Sequence, residues 1–552
     1  MSRVPGPPVL ILAAALAACT GEVRFESRPG PVEPAEPLFL DATPLTGVDL
    51  VSLSRLDVVG YGQGAAVADF DGDGDLDVFL TQDRGPCRLY RNEGSLQFVE
   101  IAAFAGVQVS PVEAHAKAAA AFDYDRDGDP DLFVGTCGEG NRLFRNRGDG
   151  SFEDVSAASG LGGGTDFTLS AHPGDFDGDG LLDLYEVNCL PTDYAMPNSH
   201  SGLPAPNRLW RNQGDGTFAD LAPLLGVDDP RAGWAAQWID LDGDGDQDLL
   251  LANDAFFYPG QETKDRAWFN PGAAGAFLFE DRGADWGLGE THSGMGFAAG
   301  DLDGDGLLDL YVSDLGPNEL RLGADPLPRR DRAPGLGVEV GYDEFQVPQI
   351  TWGCSILDWD GDGWNDLLVF NGVLTPVDPG PQFQFRQKPR LFLSRPAPAG
   401  TPAGAQAGGR VFRNRAAEAG LEALGCLGAR AGIHADLDGD GDFDLVIPTR
   451  VGAAKIVRND TPRTGPWYGV RLRGEASPRE GWGSVLELRV GRRTWRQWAS
   501  SGGQPGSTLV PEWIFTPGAF GDARLTVRWP SGAVSTVTPA RNAWTLVAEP
   551  PP

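Results

Sequence analysis

The chain has 552 residues, 41% of them hydrophobic, with 76 Gly and 44 Pro. That content is enough for a large core and too rich in turn formers for a helical bundle. A formal net charge of −34 excludes nucleic acid and a bare anionic membrane as natural partners, because the field would repel both.

The first nineteen residues read as an address. Arg3 precedes the apolar run "VLILAAALAA", which is too short for a stable transmembrane helix and is read as a removable signal over residues 1–18. "LAAC" resembles the lipobox of bacterial lipoproteins, which makes Cys19 the expected lipidation site; an ordinary secretory signal is the alternative. Residues 19–37 carry Pro29, Pro31, Pro34 and Pro37, the composition of a tether between lipid and domain. Membrane contact is expected only through that anchor, in the cell envelope, at an outer membrane or cell surface.

From residue 38 to about 460 a unit repeats. Its most regular part is Asp-x-Asp-x-Asp-Gly-x-x-Asp. The seven copies supply Asp69, Asp71, Asp73 and Asp77; Asp123, Asp125, Asp127 and Asp131; Asp175, Asp177, Asp179 and Asp183; Asp240, Asp242, Asp244 and Asp248; Asp301, Asp303, Asp305 and Asp309; Asp358, Asp360, Asp362 and Asp366; and Asp436, Asp438, Asp440 and Asp444. Carboxylates around a sharp glycine turn suit Ca²⁺, a hard cation that takes six to eight oxygens, so up to seven calcium ions are expected. An EF-hand is excluded: position twelve is Leu80, Val134, Leu251, Val312, Val369 or Ile447, and Glu186 only in the third copy.

Each loop runs into a short apolar strand such as "DVFLT" or "DLFVG". Segments such as "RLFRNRGDG" and "SFEDVSAASGL" follow, and "GAAVADF" precedes the first loop. Four antiparallel strands per repeat make a propeller blade. The seventh copy ends at "KIVRND" without a fourth strand, while an unpartnered "LFLDATPLTGV" stands at 38–48, so the N-terminal strand is expected to close the ring. The fold class is therefore all-β, a seven-bladed propeller followed by a small sandwich-like domain.

Long insertions fall between the second and third strands, opposite the Asp loops. Tyr194, His200, Phe256, Phe257 and Tyr258 are the candidate ligand contacts on that face. Five cysteines remain after Cys19, namely Cys87, Cys137, Cys189, Cys354 and Cys426, an odd number with no assignable pairing. His115, His172, His292 and His434 precede or enter the innermost strands without a repeated spacing. No nucleophile elbow or phosphate loop occurs, so no catalytic residue is assigned.

Residues 461–548 break the repeat, and the tail from 461 to the end carries eleven Arg against six acidic residues. "WYGVRLRG", "SVLELRVG" and "RLTVRWPSG" read as strands. Its arginines either dock on the acidic ring or form an outward basic site for an acidic glycan.

On these motifs the chain resembles the FG-GAP/VCBS-repeat proteins with a C-terminal ASPIC/UnbV domain, the cartilage acidic protein-like family. The tail residues that carry the resemblance are Trp467 to Gly474, Gly481 to Ser484 and Trp529 to Gly532, while "PREGWG" departs from the family's pattern. The resemblance implies a calcium-bearing extracytoplasmic binding, adhesion or scaffold module for a protein or glycan partner. The alternative is a glycan-active enzyme, a polysaccharide lyase or hydrolase, on the same scaffold.

Overall fold

The computed structural model describes all residues except 1–37, 53–62, 84, 110–114, 163, 165, 190–204, 256–262, 291, 343–348, 373–386, 426–427, 451, 464 and 519–520. Cys19, Tyr194, His200, Phe256, Phe257, Tyr258 and Cys426 therefore lie outside the described residues. Residues Pro34–Pro552 form one compact unit.

The fold is a β-propeller. Among the described residues seven antiparallel sheets each carry one Asp loop, and their innermost strands follow one another around the axis in chain order. The second sheet is representative: His115–Phe122, Asp131–Cys137, Arg142–Asn146 and Phe152–Asp154, with the Asp loop joining the first two. The first two strands are buried almost throughout, which explains their continuous apolar runs; the third alternates.

A feature the strand pattern does not announce follows the outermost strand of several sheets. Ala102–Ala105, Ser156–Ser159, Ala222–Leu225 and Ala333–Leu336 are single helical turns, stopped by Gly106, Gly160, Gly226 and Gly337 in the left-handed conformation. "SFEDVSAASGL" is thus a short strand plus one turn of helix.

The seventh sheet is completed from the other end of the chain. Phe39–Asp41 is its outermost strand, antiparallel to Lys455–Asn459, with Phe39 opposite Asn459. A strand of 3 residues is a small seam, so flanking groups help: the Thr43 hydroxyl accepts from Ile456 N at 3.0 Å, and Lys455 Nζ lies 2.6 Å from Asp41.

The fifth sheet corrects the expectation of four strands per repeat. It has three among the described residues, ending with Glu319–Arg321. Pro326 and Pro328 follow, and proline offers no N–H to a ladder. Where a fourth strand would pair, Arg332 N donates to Leu320 O at 2.9 Å and Leu320 N to Asp331 Oδ1 at 3.0 Å.

The tail builds two sheets. One joins Tyr468–Arg473, Glu512–Phe515 and Trp544–Ala548; the other joins Val485–Val490, Arg493–Trp498, Ala523–Arg528 and Val534–Val537. Val470, Trp482, Leu486, Leu488, Trp513, Leu525 and Val527 fill the space between them. That core continues into Phe122, Phe133 and Leu184 of the second and third propeller sheets.

Between Arg493–Trp498 of one sheet and Glu512–Phe515 of the other the tail sends a buried segment, Ser500 to Thr508, down the propeller axis. Ala65 N donates to Ser507 Oγ at 3.0 Å and Ala119 N to Gly506 O at 3.0 Å. Gly506 N donates to Ser170 Oγ at 2.7 Å, Gly503 N to Ala236 O at 2.8 Å, and Phe297 N to Gly503 O at 3.0 Å. Gln504 reaches Cys354 O through its amide nitrogen and takes a bond from Gly432 N at 3.5 Å. These partners lie in, or one residue before, the innermost strand of all seven sheets. Gly503 and Gly506 have φ of 98° and 69°, a backbone that side chains resist, so "SGGQPGS" suits a path confined on all sides.

Candidate functional site

The Asp loops share one wiring. The glycine at position six donates its N–H to the first Asp in all seven copies, at 2.7 to 3.1 Å. The N–H at position two reaches the ninth Asp at 2.8 to 3.2 Å. The ninth Asp's other oxygen accepts a backbone N–H from the third strand at 2.7 to 2.9 Å. Positions four and six need positive φ, as at Gly72 (74°) and Gly74 (101°), and the second loop holds Arg126 there at 62°.

Position nine therefore has a structural duty that spacing alone does not reveal. Asp77, Asp131, Asp183, Asp248, Asp309, Asp366 and Asp444 are buried and tie each loop to the third strand of its own sheet. A carboxylate oxygen has two lone pairs, so that duty leaves room for ligation.

The Arg-Asn element of strand three is equally specific. Asn146 Nδ2 donates to Pro130 O at 3.0 Å in its own loop and to Phe70 O at 2.8 Å in the preceding one. Asn212 reaches Tyr124 O at 2.8 Å, and Asn270 reaches Phe176 O at 2.7 Å. Asn92 reaches Leu437 O at 3.0 Å, which joins the first loop to the seventh. One side chain per sheet thus links neighbouring loops. The fifth sheet has Gly323 at that place, and in the sixth Asn365 takes over by donating to Asp301 O at 2.8 Å.

The loops bring anionic oxygens together. Asp69, Asp71 and Asp73 place three within 4.8 Å of one another, as do Asp123, Asp125 and Asp127; Asp175, Asp177 and Asp183; Asp240, Asp242 and Asp248; Asp301, Asp303 and Asp309; and two further acidic groups. Burial, then the neighbouring carboxylates, push Asp301 up to about 6. Burial above all raises Asp77 and Asp248 to about 8 and Asp131 to about 9 despite the N–H groups they accept. Oδ1 of Asp69, Asp123, Asp177, Asp436 and Asp438 is buried without a hydrogen-bond partner. Orphaned, crowded carboxylate oxygens are the donor set a hard divalent cation takes, so these residues fit Ca²⁺.

Arginine competes in some copies. Arg211 lies 2.5 Å from Asp177 and 3.0 Å from Asp179, and Arg395 lies 2.6 Å from Asp360. The first loop has only Arg91, 3.9 Å from Asp71.

The tail sits on this same face. Arg496 Nη1 donates to Gly306 O at 2.5 Å, Arg493 Nη2 to Gly363 O at 2.6 Å, and Trp495 Nε1 to Gly363 O at 2.8 Å. Asp123 N donates to Glu480 Oε1 at 2.5 Å, and Thr516 Oγ1 donates to Asp358. Arg463, just before the tail's first strand, lies 3.1 Å from Asp440 and 3.2 Å from Asp442. Docking on the ring thus accounts for Arg463, Arg493 and Arg496, and leaves Arg489, Arg524 and Arg528 exposed.

The four described histidines are not gathered into a site. His115 Nδ1 lies 2.9 Å from Asp83, which Lys117 also contacts at 2.5 Å. His172 is buried with both ring nitrogens unpartnered, and desolvation lowers it to about 3. His434 packs edge-on against Phe443 and is lowered to about 4 by burial. His292 lies 3.6 Å from Glu319 in the fifth sheet. Cys87, Cys137, Cys189 and Cys354 are buried free thiols.

The sheets and their loops define a β-propeller of FG-GAP-like repeats, and the FG-GAP-like repeat model matches residues 69–134, 123–186 and 193–251. Over part of its length the chain is also similar to cartilage acidic protein 1. Human cartilage acidic protein 1 is 34% identical over 160 residues, 26% of this chain and 22% of the relative. The Xenopus tropicalis protein of that name is 29% identical over 199 residues, 35% of this chain and 29% of the relative. The matched stretch thus spans under a third of either relative.

Similar solved structures are loose matches. BBS1N in complex with ARL6DN has 10% identity and a TM-score of 0.42, covering 78% of this chain and 99% of that one. The WD40 propeller domain of Doa1 has 12% identity and a TM-score of 0.37, covering 75% and 97%. The fold assignment rests on the sheets of the molecule itself. Among the described residues no helix is long and apolar enough to cross a membrane.

Proposed function

We propose that the protein is an exported, calcium-braced scaffold that presents a binding surface to an extracellular or envelope protein or glycan. The observation that carries this reading is the recurrence of clustered Asp oxygens in the loops, with buried, unpartnered ones at position one or three of the first, second, third and seventh.

Asp69, Asp71 and Asp73, and their counterparts in each copy, would hold the ion. The first Asp of each loop is already oriented by the glycine N–H, and the ninth by two backbone N–H groups. When bound, the cation supplies charge neutralisation. Seven divalent ions would bring the formal charge from −34 to −20. Because only the folded chain assembles the loops, binding and folding are linked by mass action. Outside the cell, where calcium is abundant, modest affinity keeps such sites filled.

The third and sixth loops, where one arginine reaches the carboxylates at both positions three and five, would bind most weakly. The tail lies on the Asp-loop face, and the insertions that hold Tyr194, His200, Phe256, Phe257 and Tyr258 are assigned to the opposite one as partner contacts. Export and anchoring through Cys19 belong to the same reading. Calcium titration followed by thermal melting tests it: the expected result is a rise in Tm with Ca²⁺ that exceeds the rise with Mg²⁺. Equal melts with and without calcium would overturn it.

A further inference from the structure

The outward face of the tail's four-stranded sheet carries an arrangement that stability alone does not favour. Arg489 and Arg524 are directly opposite each other on adjacent antiparallel strands, and both are exposed. Like charges in that position destabilise a sheet pair. Neither has an acidic partner among the described residues; Arg489 Nε donates only to Gly491 O, at 3.2 Å.

The one acid on this face is already used. Glu487 takes Arg496 through Nε at 3.0 Å, and Arg528 stands 3.8 Å away with its side chain 60% exposed. Thr494 and Thr526 add hydroxyls beside the arginines, since Thr494 is opposite Arg489 and Thr526 is opposite Glu487.

The fifth Asp loop forms the other wall. Gly304, Asp305 and Gly306 face Glu487, Arg489, Thr494, Arg496, Arg524 and Thr526 across an open cleft of about 510 Å³. Arg496, bonded to Gly306 O, fixes the width of this cleft. Its size suits one or two sugar rings, and its open ends suit a chain that continues past them.

We propose that this cleft binds an acidic polysaccharide, with Arg489 and Arg524 gripping one carboxylate or sulfate group of the chain. Guanidinium forks pair bidentately with two oxygens of a carboxylate or of a tetrahedral oxyanion, and the anion removes the cross-strand repulsion that the empty sheet carries. The remainder of the molecule is strongly acidic, so a polyanion is repelled everywhere else and directed to this patch. The cleft is a second binding surface, on the Asp-loop side and not at the insertions; the inference rests on the binding role proposed above, but not on the metal.

The test measures binding of the full chain to heparin, to polygalacturonate and to neutral dextran by calorimetry, at low and at raised salt. Heparin carries sulfate and uronate, whereas polygalacturonate carries only uronate, so the two separate the anionic group. The expected result is binding to one or both, none to dextran, weakening with salt, and a loss of about tenfold or more in R489A/R524A, consistent with losing two charge-assisted contacts. Both arginines are exposed and repel each other, so the variant should fold with a Tm at or slightly above the parent's, which is measured alongside.

Binding that R489A/R524A retains, absence of binding to either polyanion, or binding to anionic vesicles instead of both would overturn the proposal. Calcium content and the calcium-dependent melt are read on the same samples, so failure of the cleft and failure of the calcium-braced scaffold are distinguished.

Discussion

The rim and the axis of this propeller are held by opposite strategies. At the rim one solution recurs: a first Asp held by a glycine N–H, a ninth Asp tied to strand three, and in most sheets an Asn that crosses to the preceding loop. At the axis nothing repeats, since Ser500 to Thr508 makes a different bond to each sheet and occurs once. Redundancy makes the rim tolerant of losing one copy, and uniqueness makes the axis a single point of failure. The tail is therefore part of the ring's closure, although its composition and charge set it apart.

The largest expected effect follows from that contrast. Replacing Ser500 to Thr508 by a short Gly-Ser linker removes bonds to all seven sheets, and at about 1 kcal/mol each the Tm should fall by about 6 °C. A variant that melts like the parent would remove the axial segment from the account. Deleting Leu38 to Val48 should have the next effect. It takes the outer strand from the seventh sheet and exposes the edge at Lys455–Asn459, so early, local loss of protection there should appear in hydrogen exchange. Unchanged protection would mean that the seam contributes nothing.

A third effect concerns the carboxylates and has a definite sign. Burial and mutual repulsion hold Asp175 at about 7, Asp77 and Asp248 at about 8 and Asp131 at about 9. The calcium-free native state thus binds more protons than the unfolded chain between about pH 4 and pH 9, and its stability must fall as pH rises through that window. In EDTA the Tm should decline from pH 5.5 toward pH 8.5, both values chosen inside that range, about the reverse of usual acid denaturation. Saturating calcium should flatten the decline. A Tm in EDTA that rises over the same interval would contradict the assignment.

The smallest effect is a single rim staple. Asn146→Ala loses the bonds to Phe70 O and Pro130 O and should cost about 1–3 kcal/mol by leaving buried carbonyls unpaired. The loss should match that of Asn212→Ala, which occupies the same place in the next sheet. Unequal losses would show that the copies are not energetically equivalent.

Much of the rim was legible in the sequence because each rule there is local. Asp spacing, Gly at position six and the apolar strand after the loop are fixed by turn stereochemistry and by burial on both faces. The N-terminal strand could be placed because the repeat leaves one copy over. The double duty of Asp77 and its counterparts was not legible, because it depends on an N–H 14 to 29 residues away that spacing does not mark. Nor was the role of Asn146, whose partner lies in the preceding repeat.

The axial segment was the least legible feature. "SSGGQPGSTL" reads as an ordinary turn, and its destination is set by tertiary packing against strands that lie 72 to 442 residues earlier. The three-stranded fifth sheet lies between these cases: the missing Arg-Asn-x-Gly hairpin and the prolines at 326 and 328 were visible, but their consequence is clear only when the neighbouring sheets show what is absent.

The central claim is that the Asp loops hold calcium and that the ion braces the ring. Elemental analysis of bound calcium per chain, on protein purified without chelator and paired with a melt in excess EDTA, tests this most directly. The account predicts several ions per chain, at most seven, and a marked fall in Tm when they are removed. No bound calcium together with an unchanged melt would contradict it and leave the Asp loops as hydrogen-bonded turns.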